Sequence, residues 1–129
     1  MATLADKIEA QQVSLNGIER VTQEALIWLE EIREEEPTDK QLQRGKKLLA
    51  NLMRHCRGAV QTVGDVLARK PQAVVHFPLR SETVSVFEAT LKLLSALETE
   101  SDLSALSTER EELRSALIEF LTAKSQLEI

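Results

Sequence analysis

Two long stretches of this chain place apolar or small residues at alternating steps of four and three, and that spacing restricts the fold more than any other feature. The first seam is Leu4, Ile8, Gln11, Leu15, Ile18, Thr22, Ala25, Leu29 and Ile32, widened by Val21, Leu26 and Trp28. The second is Leu42, Gly45, Leu49, Leu52, Cys56, Ala59, Val63 and Val66, flanked by Leu48, Val60 and Leu67. A period near 3.5 keeps one helical face on a neighbouring helix over many turns. Pro37 separates the seams, and Thr38 or Asp39 can cap the second helix by accepting a hydrogen bond from a free backbone N–H. The spacing therefore predicts an antiparallel hairpin of helices over about 3–35 and 39–69. Asn16-Gly17 is a turn signal, but the spacing passes through it unbroken, so the reading is one helix weakened at Gly17. Gln11 and Thr22 are polar seam positions that either fix register or mark exposed seam.

Beyond Pro71 the pattern changes. Prolines bracket residues 71–80, which are read as an extended linker with Ala73–Phe77 lying over the core. Ser81 is expected to cap a third helix, about 82–98, that buries Val84, Phe87, Leu91, Leu94 and Leu97. A Ser- and Thr-rich loop follows over 99–108, with Leu103 and Leu106 as plugs. Thr108 and Glu111 have the spacing of a capping box. They open a fourth helix, about 109–127, whose apolar face is Leu113, Leu117, Phe120, Leu121 and Leu127. The expected fold is all-α, a four-helix bundle built on the long hairpin, with residues 1–129 as a single domain.

Composition narrows the class further. Four Gly and three Pro among 129 residues are too few for an all-β fold rich in tight turns. One Cys excludes an internal disulfide. No apolar run approaches the ~20 residues that span a bilayer. The opening Met-Ala-Thr-Leu-Ala-Asp lacks the basic-then-apolar order of a secretory signal, so a cytoplasmic, non-membrane protein is expected. Helix lengths add a constraint. The first helix would run roughly 45 Å and the third and fourth only ~25–30 Å. A bare end of seam would need a partner, because large exposed apolar patches are rare on monomers. Self-association as a homodimer is the expectation, with a bend at Gly17 as the alternative.

Charge is segregated along the chain. Residues 1–37 carry a net −6, residues 38–80 a net +7, and residues 81–129 a net −6. The cluster Glu30, Glu31, Glu34, Glu35 and Glu36 opposes the macrodipole at the end of the first helix. Paired Glu at helical spacing resemble the Mg²⁺-holding pairs of bundle-type nucleotide pyrophosphohydrolases. Those sites need a second carboxylate pair, and the second helix offers only the distant Asp39 and Asp65. Pairing of the Glu cluster with Lys40, Arg44, Lys46 and Lys47 across the turn is the simpler expectation. His55, Cys56 and His76 are too few for a four-ligand zinc site, and Cys56 reads as a core residue. Arg69 and His76, with six residues between them, resemble the Arg–His motif of a family of four-helix ribonucleases, although Pro71 falls between them. No metal, no cofactor and no enzymatic activity are expected.

The segment Leu52–Gly64 resembles the phospho-accepting helix of histidine-phosphotransfer domains. Arg57, Gly58 and Gly64 match the family's basic residue and two glycines, and Cys56, Val60 and Val63 fall at its buried positions. The resemblance implies a four-helix signalling bundle that docks a receiver domain. It also puts Arg54, not a histidine, at the phospho-acceptor position, with His55 one residue away. Such a domain would bind a receiver without taking phosphate, unless His55 itself is exposed and reactive.

The second helix further carries a basic and polar stripe, Lys40, Arg44, Lys47, Asn51, Arg54, Gly58 and Gln61, with Arg57 beside it. These eight residues are the expected partner-binding surface. The overall acidity argues against nucleic acid, and only four aromatic residues are available for base stacking. The expected function is a non-enzymatic protein-interaction module or adaptor that docks a partner with an acidic surface. A small acidic helical chaperone for a secreted or assembling protein is a third reading, resting on size, acidity and the amphipathic C-terminal helix.

Overall fold

Helix α1 (Leu4–Glu34) crosses Asn16-Gly17 without a break, and α2 (Asp39–Arg69) returns beside it. The computed structural model describes residues 3–34, 36–100 and 102–127, and for Glu34 the backbone only. The expected end of the first helix at residue 35 lies outside the described residues. Helix α3 (Arg80–Thr99) and helix α4 (Ser107–Leu127) complete the bundle, and 3-10 turns fill Pro71–His76 and Leu103–Leu106. Helix α1 packs on α2, α2 on α3 and α3 on α4, while α4 closes back onto α1. The chain is an all-α helical bundle, with no strand among the described residues.

The hairpin forms as the seams require. Seam residues Leu15, Ile18, Ala25, Leu29 and Ile32 meet Leu49, Leu52, Cys56 and Ala59 in one core. Thr38 is the N-cap: its hydroxyl accepts from the Gln41 N–H at 3.1 Å while the Gln41 side chain accepts from the Thr38 N–H at 2.9 Å. This reciprocal pair satisfies two backbone donors at the start of α2. Trp28 lies across Gly45, and its indole N–H donates to the Gln41 carbonyl at 2.8 Å. Gly17 has a comparable reason. The ring of His55 lies within about 3.0 Å of where a Cβ at residue 17 would sit, so the glycine makes room for an imidazole between the helices.

Three elements differ from the sequence expectation. Residues 71–76 form a 3-10 turn rather than part of an extended linker, with the Ala73 N–H donating to Lys70 O at 3.0 Å and the Phe77 N–H to Val74 O at 3.1 Å. Pro71 occupies the first turn, where its missing N–H costs nothing, and Pro78 restricts only the residue before it. The turn puts Ala73 and Phe77 on one side, buried with Val63 against Leu4, Ile8, Val66 and Leu67. That small cluster covers the end of the hairpin that α4 does not reach. Seam residues Leu4 and Ile8, behind the expected self-association, are therefore packed by the chain's own Ala73 and Phe77.

Helix α3 buries a different face from the one expected. Thr83, Val86, Ala89, Thr90, Leu93 and Leu97 point inward, whereas Val84 and Leu91 are exposed and Phe87 and Leu94 are half-buried. Both phases have helical spacing, and a threonine can be hidden when its hydroxyl finds an acceptor. Thr90 Oγ1 donates to Val86 O at 2.6 Å. The N-cap of α3 is Leu79, in the left-handed region at φ 67°, rather than Ser81. Helix α4 begins at Ser107, running on from the second 3-10 turn, in which Leu103 and Leu106 are buried as expected. Its Leu127 is exposed, and Lys124 takes the inner position instead. The Lys124 ammonium lies 2.7 Å from the Glu19 carboxylate of α1.

Candidate functional site on the outer face of α2

Seam and stripe lie on opposite sides of α2, so burying Gly45, Leu49, Leu52, Cys56, Ala59 and Val63 turns the stripe to solvent. Lys40, Arg44, Lys47, Arg54, Arg57, Gly58 and Gln61 are all exposed, and Asn51 is half-buried among them. Arg54 donates to the Asn51 side-chain oxygen. Among the described residues Arg44 forms the single ion pair of the stripe, 3.3 Å from Glu31 of α1. Of the expected pairing between this face and the glutamates of the hairpin turn, the described residues show the Arg44–Glu31 pair alone. Among the described residues Lys40, Lys47, Arg54 and Arg57 meet no carboxylate. Glu35 and the side chain of Glu34, both of that cluster, lie outside the described residues.

The opposite charge collects elsewhere. An open depression between α3 and α4 is edged by Glu88, Glu111, Glu112 and Glu119, where Lys92 pairs with Glu112 at 3.2 Å. The molecule presents one basic helix face and one acidic groove.

Gly58 and Gly64 sit in the exposed interior of α2, and a Cβ at either would meet nothing within 4 Å. Internal packing does not ask for glycine at these positions, and each costs a helix about 0.5–1 kcal/mol relative to alanine. Gly58→Ala should raise unfolding free energy by about that amount, read as an upward shift in the thermal midpoint. A lower midpoint would reveal a contact that the structure does not contain.

Cys56 is fully buried and burial pushes its thiol up to about 12, so it is chemically quiet core. His55 is half-buried on Gly17. Burial first, then the Arg54 and Arg20 charges, hold its imidazole below the usual range, which keeps it neutral near pH 7. His76 is exposed at the end of the first 3-10 turn, and Arg69 is exposed at the end of α2. Among the described residues no three of His, Cys, Asp or Glu converge as a metal site, and no helix is long and apolar enough to cross a membrane. Of the positions that resemble a phosphotransfer helix, Cys56 and Val63 are buried, Val60 is half-buried, and Arg54, Arg57, Gly58 and Gly64 face solvent. Comparison with protein-family models, curated proteins and solved structures gives no match.

Lys124 and the pair Gln11 and Thr83 were not singled out as site residues from the sequence. Lys124 lies on the row Leu113, Leu117, Phe120, which marks it as an inward position. Thr83 falls on the α3 face that the apolar count passed over.

Proposed function

We propose that this chain is a non-enzymatic docking module that receives an acidic protein partner along the outer face of α2. The observation that carries the reading is the row of cations, Lys40, Lys47, Arg54 and Arg57, that meet no carboxylate among the described residues, in a protein of net charge −5. An acidic chain could neutralise those cations internally at little cost, so leaving them open favours an external use. Opposite charge speeds encounter with an acidic surface, and the flanking acidic helices repel a nucleic-acid polyanion. Gly58 leaves a gap in the centre of the row where a partner backbone can approach. The buried, unreactive Cys56 accords with a cytoplasmic setting.

Self-docking belongs to the same reading, since the acidic α3–α4 groove of a second copy is one acidic surface that the stripe could meet. A phosphotransfer-like receiver interaction would use the same residues, with Arg54 in place of the acceptor.

The test is chemical-shift mapping with an oligo-glutamate peptide and, separately, with a short DNA duplex. The peptide should shift amides of residues 40–61 on the stripe, weaken as salt rises, and outcompete the duplex. Shifts centred on another helix, or preference for the duplex, would overturn the proposal.

A further inference from the structure

Helix α3 has two apolar faces, and the fold buries one of them. The inner face, with Val86, Leu93 and Leu97, lies in the core. The other carries Val84, 38% exposed, and Leu91, 42% exposed, with Phe87 and Leu94 half-buried where they touch the core. Single apolar residues on a surface are ordinary. These four, however, stand at steps of three, four and three, the spacing that holds a seam on a second helix.

The seam continues by one step at each end, to Arg80 and to Glu98. Both are exposed, and neither makes an ion pair among the described residues. Each also stands at the wrong end of its own helix, a cation in the first turn and an anion in the last. From Arg80 to Glu98 the steps run four, three, four, three, four, an order that reads the same from either end. Two copies of α3 laid antiparallel, about a two-fold axis level with Ala89, therefore fall into register. Arg80 then meets Glu98 of the second copy, Val84 meets its Leu94 and Phe87 meets its Leu91. Each pair occurs twice, as an isologous contact requires. The antiparallel arrangement also sets each end charge beside the helix end that favours it. A parallel pair would put like charge on like charge at both ends, so the charges select direction as well as register. Gly64 of α2 lines a small cavity together with Arg80 and Val84. It is exposed and a Cβ there would meet nothing within 4 Å, so glycine at this position keeps the approach to the seam open.

We propose that the outer seam of α3 is the interface of a symmetric homodimer, its occupant being the same seam of a second copy running antiparallel. The proposal uses no residue of the basic stripe and does not depend on the docking of an acidic partner there.

Sedimentation of the full chain from micromolar to millimolar concentration should show the 14.5 kDa monomer in equilibrium with its dimer, and added salt should leave most of the dimer in place. Leu91→Ser changes an exposed side chain, so the helical spectrum should hold while dimerisation weakens about tenfold or more. Arg80→Glu and Glu98→Arg should each weaken it about tenfold. The two changes combined in one chain should restore it, because both pairs form again with their signs exchanged. A chain that stays monomeric throughout, a dimer that Leu91→Ser leaves intact, or a double variant no tighter than the single ones would overturn the proposal. So would an assembly that dissolves in salt and is lost in Arg54→Glu with Arg57→Glu instead, which would be the basic stripe meeting the acidic groove of another copy.

Discussion

The Gly45→Ala variant is expected to lose about 2–3 kcal/mol of unfolding free energy, a fall of roughly 10 °C in Tm. A Cβ at this position would sit 2.0 Å from Trp28 Cζ2 and 2.1 Å from Cε2. Contacts that short are far inside van der Waals range, so either α1 and α2 must separate or the indole must move. The indole is not free to move: Trp28 is fully buried and its N–H is held by the Gln41 carbonyl at 2.8 Å. In a free helix the same change would be favourable by about 0.5–1 kcal/mol, so the sign of the result separates a packing account from a propensity account. Urea unfolding at fixed pH reads it directly. A double variant with Trp28→Leu should recover part of the loss, because the two residues share one contact. A stabilised Gly45→Ala protein would mean that the helices do not meet here as described.

Phe77→Ala is expected to lose about 3–5 kcal/mol and to change the state of association as well. Phe77 is 2% exposed and covers Val63, Leu4, Ile8, Val66 and Leu67 at the unshared end of the hairpin. Helix α1, at 31 residues, outruns α4, at 21, and the ammonium of Lys124 near the end of α4 already sits beside Glu19. The first dozen or so residues of α1 therefore depend on the segment after α2 for cover. Removing the ring bares the seam, and the mass measured by light scattering should rise above that of the parent protein, insensitive to salt. A variant equally stable, with unchanged mass, would show that the 3-10 turn is not what shields this end.

Where the sequence was legible, it was so because period and burial agree. From Leu15 to Ile32 and from Gly45 to Val63, every seam position named from spacing is buried. Thr38 caps α2, and the basic stripe faces solvent because it lies opposite those positions. The misses have separate physical causes. Two helical phases compete on α3, and hydropathy favours Val84 and Leu91 over Thr83 and Thr90. Thr90 becomes an inner residue because its hydroxyl finds the Val86 carbonyl, which spacing cannot show, while Thr83 is buried with no such acceptor. Lys124 was passed over because its charge suggested an outer position, although its place on the Leu113–Leu117–Phe120 row pointed inward. Residues 71–76 read as extended because prolines stand at both ends, yet a proline begins a 3-10 turn as readily as it ends a helix. The ion pairs of the hairpin turn depend on side-chain reach rather than on composition. Arg44 meets Glu31 while Lys40 and Lys47 do not meet a carboxylate among the described residues.

The central claim is that the outer face of α2 receives an acidic partner, and charge reversal on that face tests it most directly. Arg54→Glu combined with Arg57→Glu changes two exposed side chains that make no ion pair among the described residues, so the thermal midpoint should hold close to the parent value. Fluorescence anisotropy with a labelled oligo-glutamate peptide should then show binding weakened at least tenfold, and the salt dependence of the remaining binding reduced. Unchanged affinity in a folded double variant would contradict the account and remove α2 as the docking surface.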